Sequence, residues 1–166
     1  MKSFARIIFI LAGIATYHTA SAQNVSINIL TQNSGVVTRG RTSFLEVAVN
    51  NTDPNAYVGI FKIQVKISVP ADIVSIPDEG HSLPTGWTIT SNTGSTITLS
   101  NGKNMIASRD GRTILIALQG KKTGGPSTIT GQLSFSTGES PGTAPGSLSG
   151  DSPADNSSTT TIKVLR

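Results

Sequence analysis

Phe61-Lys62-Ile63-Gln64-Val65-Lys66-Ile67-Ser68-Val69 decides the fold. Its odd positions are apolar and its even positions polar. Successive side chains of a β-strand point to opposite faces, so this stretch reads as a strand with one dry face and one wet face. The same alternation appears at Val25, Ile27 and Ile29, and again at Leu45, Val47 and Val49. Trp87 with Ile89, Ile97 with Leu99, Ile129 with Leu133 and Phe135, and Ile162 with Val164 repeat it more loosely. Ile114, Ile116 and Leu118 are joined by Leu115 and Ala117 into a run apolar on both sides, as in a central strand. Seven to nine strands follow from this count.

Turn residues separate the strands. They are Asn33-Ser34-Gly35, Asp53-Pro54-Asn55, Asn92-Thr93-Gly94, Asn101-Gly102, Asp110-Gly111 and Gly124-Gly125-Pro126. Asn-Gly and Asp-Gly tolerate positive φ and suit tight hairpins. No stretch after residue 22 keeps a helical spacing of apolar residues. The fold class predicted is all-β, an antiparallel sandwich. Its core is expected at Leu45, Val47, Val49, Phe61, Ile63, Val65, Ile67, Trp87, Ile114, Ile116, Leu118, Leu133 and Phe135. Gly138 to Asp155, rich in Gly, Pro and Ser, is expected to be one long loop before the last strand.

The chain opens with a different pattern. Lys2 and Arg6 precede an apolar run from Ile7 to Ala15, and Ala20-Ser21-Ala22 is a small-x-small cleavage signal. This predicts a secretory signal peptide over residues 1–22 and one domain over 23–166. The apolar run is shorter than the roughly 20 residues that span a bilayer. A secreted or cell-surface location follows, with no transmembrane segment after cleavage. Thirteen basic residues, less Lys2 and Arg6, stand against nine acids and leave a mature net charge of +2. The basic residues are scattered along the sequence, and no nucleic-acid partner is expected. The chain has no cysteine, which excludes thiol catalysis, a cysteine zinc site and disulfides.

Three phrases in order carry a resemblance: Val49-Asn50-Asn51-Thr52, Leu83-Pro84-Thr85-Gly86-Trp87 and Gly150-Asp151-Ser152-Pro153-Ala154-Asp155-Asn156. Together they resemble the bacterial surface-protein repeat known as conserved domain of unknown function number eleven. That resemblance implies an immunoglobulin-like sandwich serving as a spacer or adhesive module. It brings no catalytic residues. Val69-Pro70-Ala71-Asp72-Ile73-Val74-Ser75-Ile76 is similar to a phrase of cohesin and carbohydrate-binding sandwiches.

Candidate chemistry is sparse. His81 is the only histidine after residue 22, and Ser82 beside it makes no catalytic pair, since sequence neighbours rarely face each other. His81 reads as a solvated loop residue. Asp72, Asp78, Glu79, Asp110, Glu139, Asp151 and Asp155 could supply a carboxylate pair, but most sit in turns, where Asp shapes the backbone. Asp151, Asp155 and Asn156 are close enough in sequence to contribute oxygens to a structural calcium ion, the one cofactor considered. Trp87 and Tyr57 are candidate ligand contacts, with Trp87 also a natural core anchor. Lys62, Gln64 and Lys66 share the wet face of one strand, and there Lys would guard against edge pairing.

The expected function is an exported, non-enzymatic structural or adhesive module of a bacterial surface. Other surface proteins or glycans are the expected partners. A carbohydrate-binding module, or a subunit of a surface polymer built by strand pairing, is the alternative.

Overall fold

The computed structural model describes residues 24–55, 57–59, 63–136, 145–146 and 151–166. The expected signal peptide, Phe61, Lys62, Glu139 and most of the 138–155 loop lie outside the described residues. Among the described residues there are eleven strands: β1 (Val25–Thr31), β2 (Val36–Thr38), β3 (Thr42–Asn51), β4 (Ile63–Ser68), β5 (Val74–Ser75), β6 (Thr88–Asn92), β7 (Thr96–Ser100), β8 (Gly111–Gly120), β9 (Gly124–Ser136), β10 (Pro145–Gly146) and β11 (Ser157–Leu165). β5 and β10 have two residues each. One sheet has the order β1-β3-β8-β5, and the other has β2-β11-β9-β4-β7-β6 with β10 also on β9. The pairing is antiparallel throughout, except that β2 runs parallel to β11.

Alternation puts the core between the sheets. Leu45, Val47 and Val49 of β3 and Ile63, Val65 and Ile67 of β4 are wholly buried, as are Ile114, Ile116 and Leu118 of β8. Each expected core residue that is described is buried. Burying one such side chain stabilises the fold by about 1.5–3 kcal/mol before entropy is counted. Gly131 of β9 is small for a packing reason. A Cβ there would come within 2.9 Å of Ile29 Cγ2 and 3.1 Å of Ile27 Cδ1, so β1 could not lie so close.

Several details differ from expectation. β4 is flanked by β9 and β7, so Lys66 is not an edge guard. It lies opposite Gln132 and Thr98 and helps form a polar outer surface. Asn92-Thr93-Gly94 does close the β6–β7 hairpin, with Thr93 N–H donating to Thr96 O at 2.9 Å. Asn101-Gly102 instead opens a loop that runs to Asp110. Gly124-Gly125-Pro126 is not a turn between elements but the start of β9. There the strand is irregular: Gly125 has φ +94°, and the β9–β11 register shifts between Ile162 and Val164.

His81 is not simply solvated. β8 pairs with β5 at Gly120 and Gln119, and with Ser82 at Leu115. Between those points the edge is filled by a side chain: Ala117 N–H donates to His81 Nδ1 at 3.1 Å. The other ring nitrogen, Nε2, lies 2.9 Å from Pro77 O. With Nδ1 accepting, Nε2 carries the proton and donates to Pro77 O, so the imidazole replaces a missing strand residue.

Candidate functional site

The antiparallel topology gathers every candidate contact or metal residue at one end of the sandwich. β1, β4, β8 and β11 start there, and β3, β7 and β9 finish there. The described loops at that end are 52–59, 101–110 and 151–156, with 84–87 packed alongside.

Buried amides hold the end together. Asn101 is fully buried and serves three backbone groups: Ile63 N–H donates to its Oδ1 at 3.0 Å, and its Nδ2 donates to Gly59 O at 2.8 Å and Asn104 O at 2.7 Å. Asn51 Nδ2 donates to Ala107 O at 3.0 Å, while its Oδ1 accepts from Asp53 N–H at 3.1 Å. Gly102 has φ +47°, and a Cβ there would collide with Gly86 O, so glycine alone fits. Arg112 gathers what remains. Its guanidinium donates to Asn104 Oδ1, Gly111 O and Met105 O, and pairs with Asp110. That hydrogen bond is the main reason the Asp110 carboxyl is held below its ordinary value of 3.8, followed by the backbone N–H of Gly111.

Asp151 also has structural work at the end. Its Oδ1 accepts from Val25 N–H at 3.1 Å and its Oδ2 accepts from Asn156 Nδ2 at 2.6 Å. Asp151 and Asn156 therefore meet, and together they cap the start of β1. Asp155 ends a short 3-10 turn, Pro153–Asp155. Its Oδ1 and the Oδ1 of Asn156 are buried with no hydrogen-bond donor. Among the described residues no three His, Cys, Asp or Glu side chains cluster to hold a metal. Of the carboxylates considered for a hydrolytic pair, Asp110 is bound to Arg112 and Asp78 to Asn92.

The two aromatic candidates part company. Trp87 is 5% exposed and belongs to the core, so its face offers no sugar platform. It enters β6 from a turn in which its N–H donates to Pro84 O at 3.0 Å. Tyr57 is 63% exposed. Beside it Val58 pairs with Ile106, both wholly buried, and Met105 is 56% exposed. Alternation about that bridge turns Tyr57 and Met105 outward together. Met105 is not a sequence candidate: the pairing of 58 with 106, 48 residues apart in the chain, brings it to the same bridge as Tyr57.

No family model matches the chain, and no curated protein matches it. Solved structures do. A cohesin module of a Clostridium perfringens family 33 glycoside hydrolase superposes with a TM-score of 0.54 at 11% identity, covering 85% of this chain and 98% of that one. The major pilin subunit BcpA of Bacillus cereus gives 0.55 at 10% identity, over 86% of this chain and 41% of the pilin. The Actinomyces fimbrial adhesin FimA gives 0.50 at 16% identity, over 83% of this chain and 56% of the adhesin. This chain thus spans under half of the pilin and just over half of the adhesin. The shared property is the fold. No helix among the described residues is long and apolar enough to cross a membrane. The chain is an immunoglobulin-like β-sandwich of the kind found in cohesin, pilin and fimbrial-adhesin domains.

Proposed function

We propose that the protein is an exported, non-enzymatic structural or adhesive module of a bacterial surface. The observation that carries this reading is the use of the loop end. Asn101, Asn51 and Arg112 there serve backbone groups and one another, while Tyr57 and Met105 are exposed and are the contact residues of this reading. An enzyme needs a nucleophile, base or acid free to reach a substrate. The sandwich likeness to a pilin subunit and a fimbrial adhesin agrees with a surface role. The signal-peptide pattern of residues 1–22 supplies the route. A protein or glycan partner meets the loop end in this reading. Carbohydrate binding loses Trp87 as a platform and rests on Tyr57.

Calcium enters this reading as a structural ion beside Asp151. The two donorless oxygens, Asp155 Oδ1 and Asn156 Oδ1, are the acceptors it would satisfy. A melt in calcium and then in chelator checks it: a calcium-dependent rise supports the ion, and an unchanged midpoint leaves Asp151 as a cap alone.

The test of location and role is labelling of intact cells with a membrane-impermeant amine reagent. Exposed Lys103, Lys122 and Lys163 should be labelled without lysis. Label that appears only after lysis, or turnover of a substrate by the purified protein, would overturn the reading.

A further inference from the structure

Cations that are scattered along the sequence meet at the end of the sandwich opposite the loops described above. Arg39 and Arg41 flank the turn from β2 to β3, Lys121 and Lys122 form the turn from β8 to β9, and Lys163 and Arg166 belong to the tail of β11. Backbone pairing fixes these stretches side by side. Arg39 bridges Gly120 and donates its N–H to Leu165 O at 2.9 Å. Gly40 N–H donates to Gly120 O at 2.8 Å, and Lys163 lies opposite Val36 in the β2–β11 pair.

All six side chains are exposed. None has a carboxylate partner among the described residues, although Lys121 Nζ donates to Ala71 O at 2.9 Å. Asp72, in the turn before β5, and Asp78, which accepts from Asn92 Nδ2 at the β6–β7 turn, are described acids at this end, with Glu79 next in sequence. Asp53, Asp110, Asp151 and Asp155 are all at the other. Six cations still outnumber the acids here, so the small net charge conceals an uneven distribution. Like charges held together repel one another and raise the local positive potential, so this end attracts anions.

The chemistry of the patch narrows the partner. Arg guanidinium groups bind phosphate and sulfate in a bidentate manner, and Lys binds them as a point charge. The aromatic side chain of β3 near this end, Phe44, is partly buried, a poor platform on which to stack a nucleic-acid base. Leu165 is the sole exposed large apolar side chain among the cations, too little to anchor the patch in a bilayer. We propose that the basic end is a binding surface for a polyanionic glycan, a chain bearing repeated sulfate, phosphate or carboxylate groups. This proposal rests on charge placement and is independent of the loop-end reading.

Immobilised heparin is the probe, and the full protein is compared with Arg39→Gln/Arg41→Gln/Lys122→Gln/Lys163→Gln. Affinity should fall about tenfold or more, and log affinity against log salt should flatten as fewer counterions are released. The control Lys66→Gln/Lys103→Gln, away from the patch, should leave both unchanged. The pair Arg41→Gln/Lys163→Gln should fall in between, which guards against misfolding of the fourfold variant; melting curves check each. Unchanged binding in the fourfold variant, or equal loss in the control, would overturn the proposal. So would stronger displacement from heparin by single-stranded DNA or by phosphatidylglycerol vesicles than by a soluble sulfated glycan.

Discussion

Asn101 shows how much one side chain can carry at the loop end. It satisfies Ile63, Gly59 and Asn104 at once and is fully buried. Asn101→Ala strands three backbone groups, and chemical denaturation should show a loss of about 3 kcal/mol or more, since each unsatisfied buried group costs about 1–3 kcal/mol. Asp110 acts differently, because it is half-exposed and its pairing is screened by water. Its carboxyl, held low mainly by Arg112, favours the folded state above the ordinary carboxylate range. That contribution is lost as pH falls through the lowered folded value. Asp110→Asn should therefore melt slightly earlier than the parent at neutral pH, and the two curves should converge in acid. A pH series of melts reads this out, and a constant gap at every pH would contradict it. At this scale the sequence is legible only in part. Asn101-Gly102 reads as a hairpin because both residues tolerate positive φ, and Gly102 does adopt it. The amide's real work depends on Gly59 and Ile63, which are distant in sequence.

Elements whose alternation is long and regular, such as β1, β3 and β4, are plain in the sequence because one buried face imposes period two. β2 and β5, with three residues and two, are too short to show any period. The sealing of strand edges is also invisible locally. On β1, Val25 N–H reaches Asp151 and Ile29 N–H reaches Ser158 Oγ at 3.1 Å. Edges with free N–H groups invite pairing with another chain, and side chains here occupy those groups. Asp151→Ala/Ser158→Ala should cost about 2 kcal/mol, about 1 kcal/mol for each lost bond. It should also make the protein associate with rising concentration in sedimentation experiments. A stable monomer at high concentration would show that the caps do not protect the edge. His81 plays the same part for β8. His81→Ala leaves Ala117 N–H without an acceptor, and a denaturant midpoint should register a loss of about 1–2 kcal/mol.

For the whole molecule, the sheets meet closely because Gly131 leaves room for Ile27 and Ile29. Gly131→Val should wedge them apart and lower stability by about 1–3 kcal/mol, the usual range for overpacking, as read in a thermal or denaturant melt. The sandwich class was legible from strand patterning alone. The strand order was not, because it is set by crossovers between sheets, and strand order decides which surface residues become neighbours. Six scattered cations share one end for that reason, and Tyr57 and Met105 share one bridge for the same reason. The expected ligand contact at Trp87 failed where the core took its ring, whereas Tyr57 stayed on a polar loop and outside. The central claim is that this loop end makes contacts and performs no chemistry. Its most direct test is attachment of protein-coated beads to a lawn of the producing bacteria, with Tyr57→Ser/Met105→Ser as the comparison. The account predicts that the parent attaches and that the variant loses most attachment while melting as the parent does. Equal attachment by parent and variant, or none above bare beads, would contradict it.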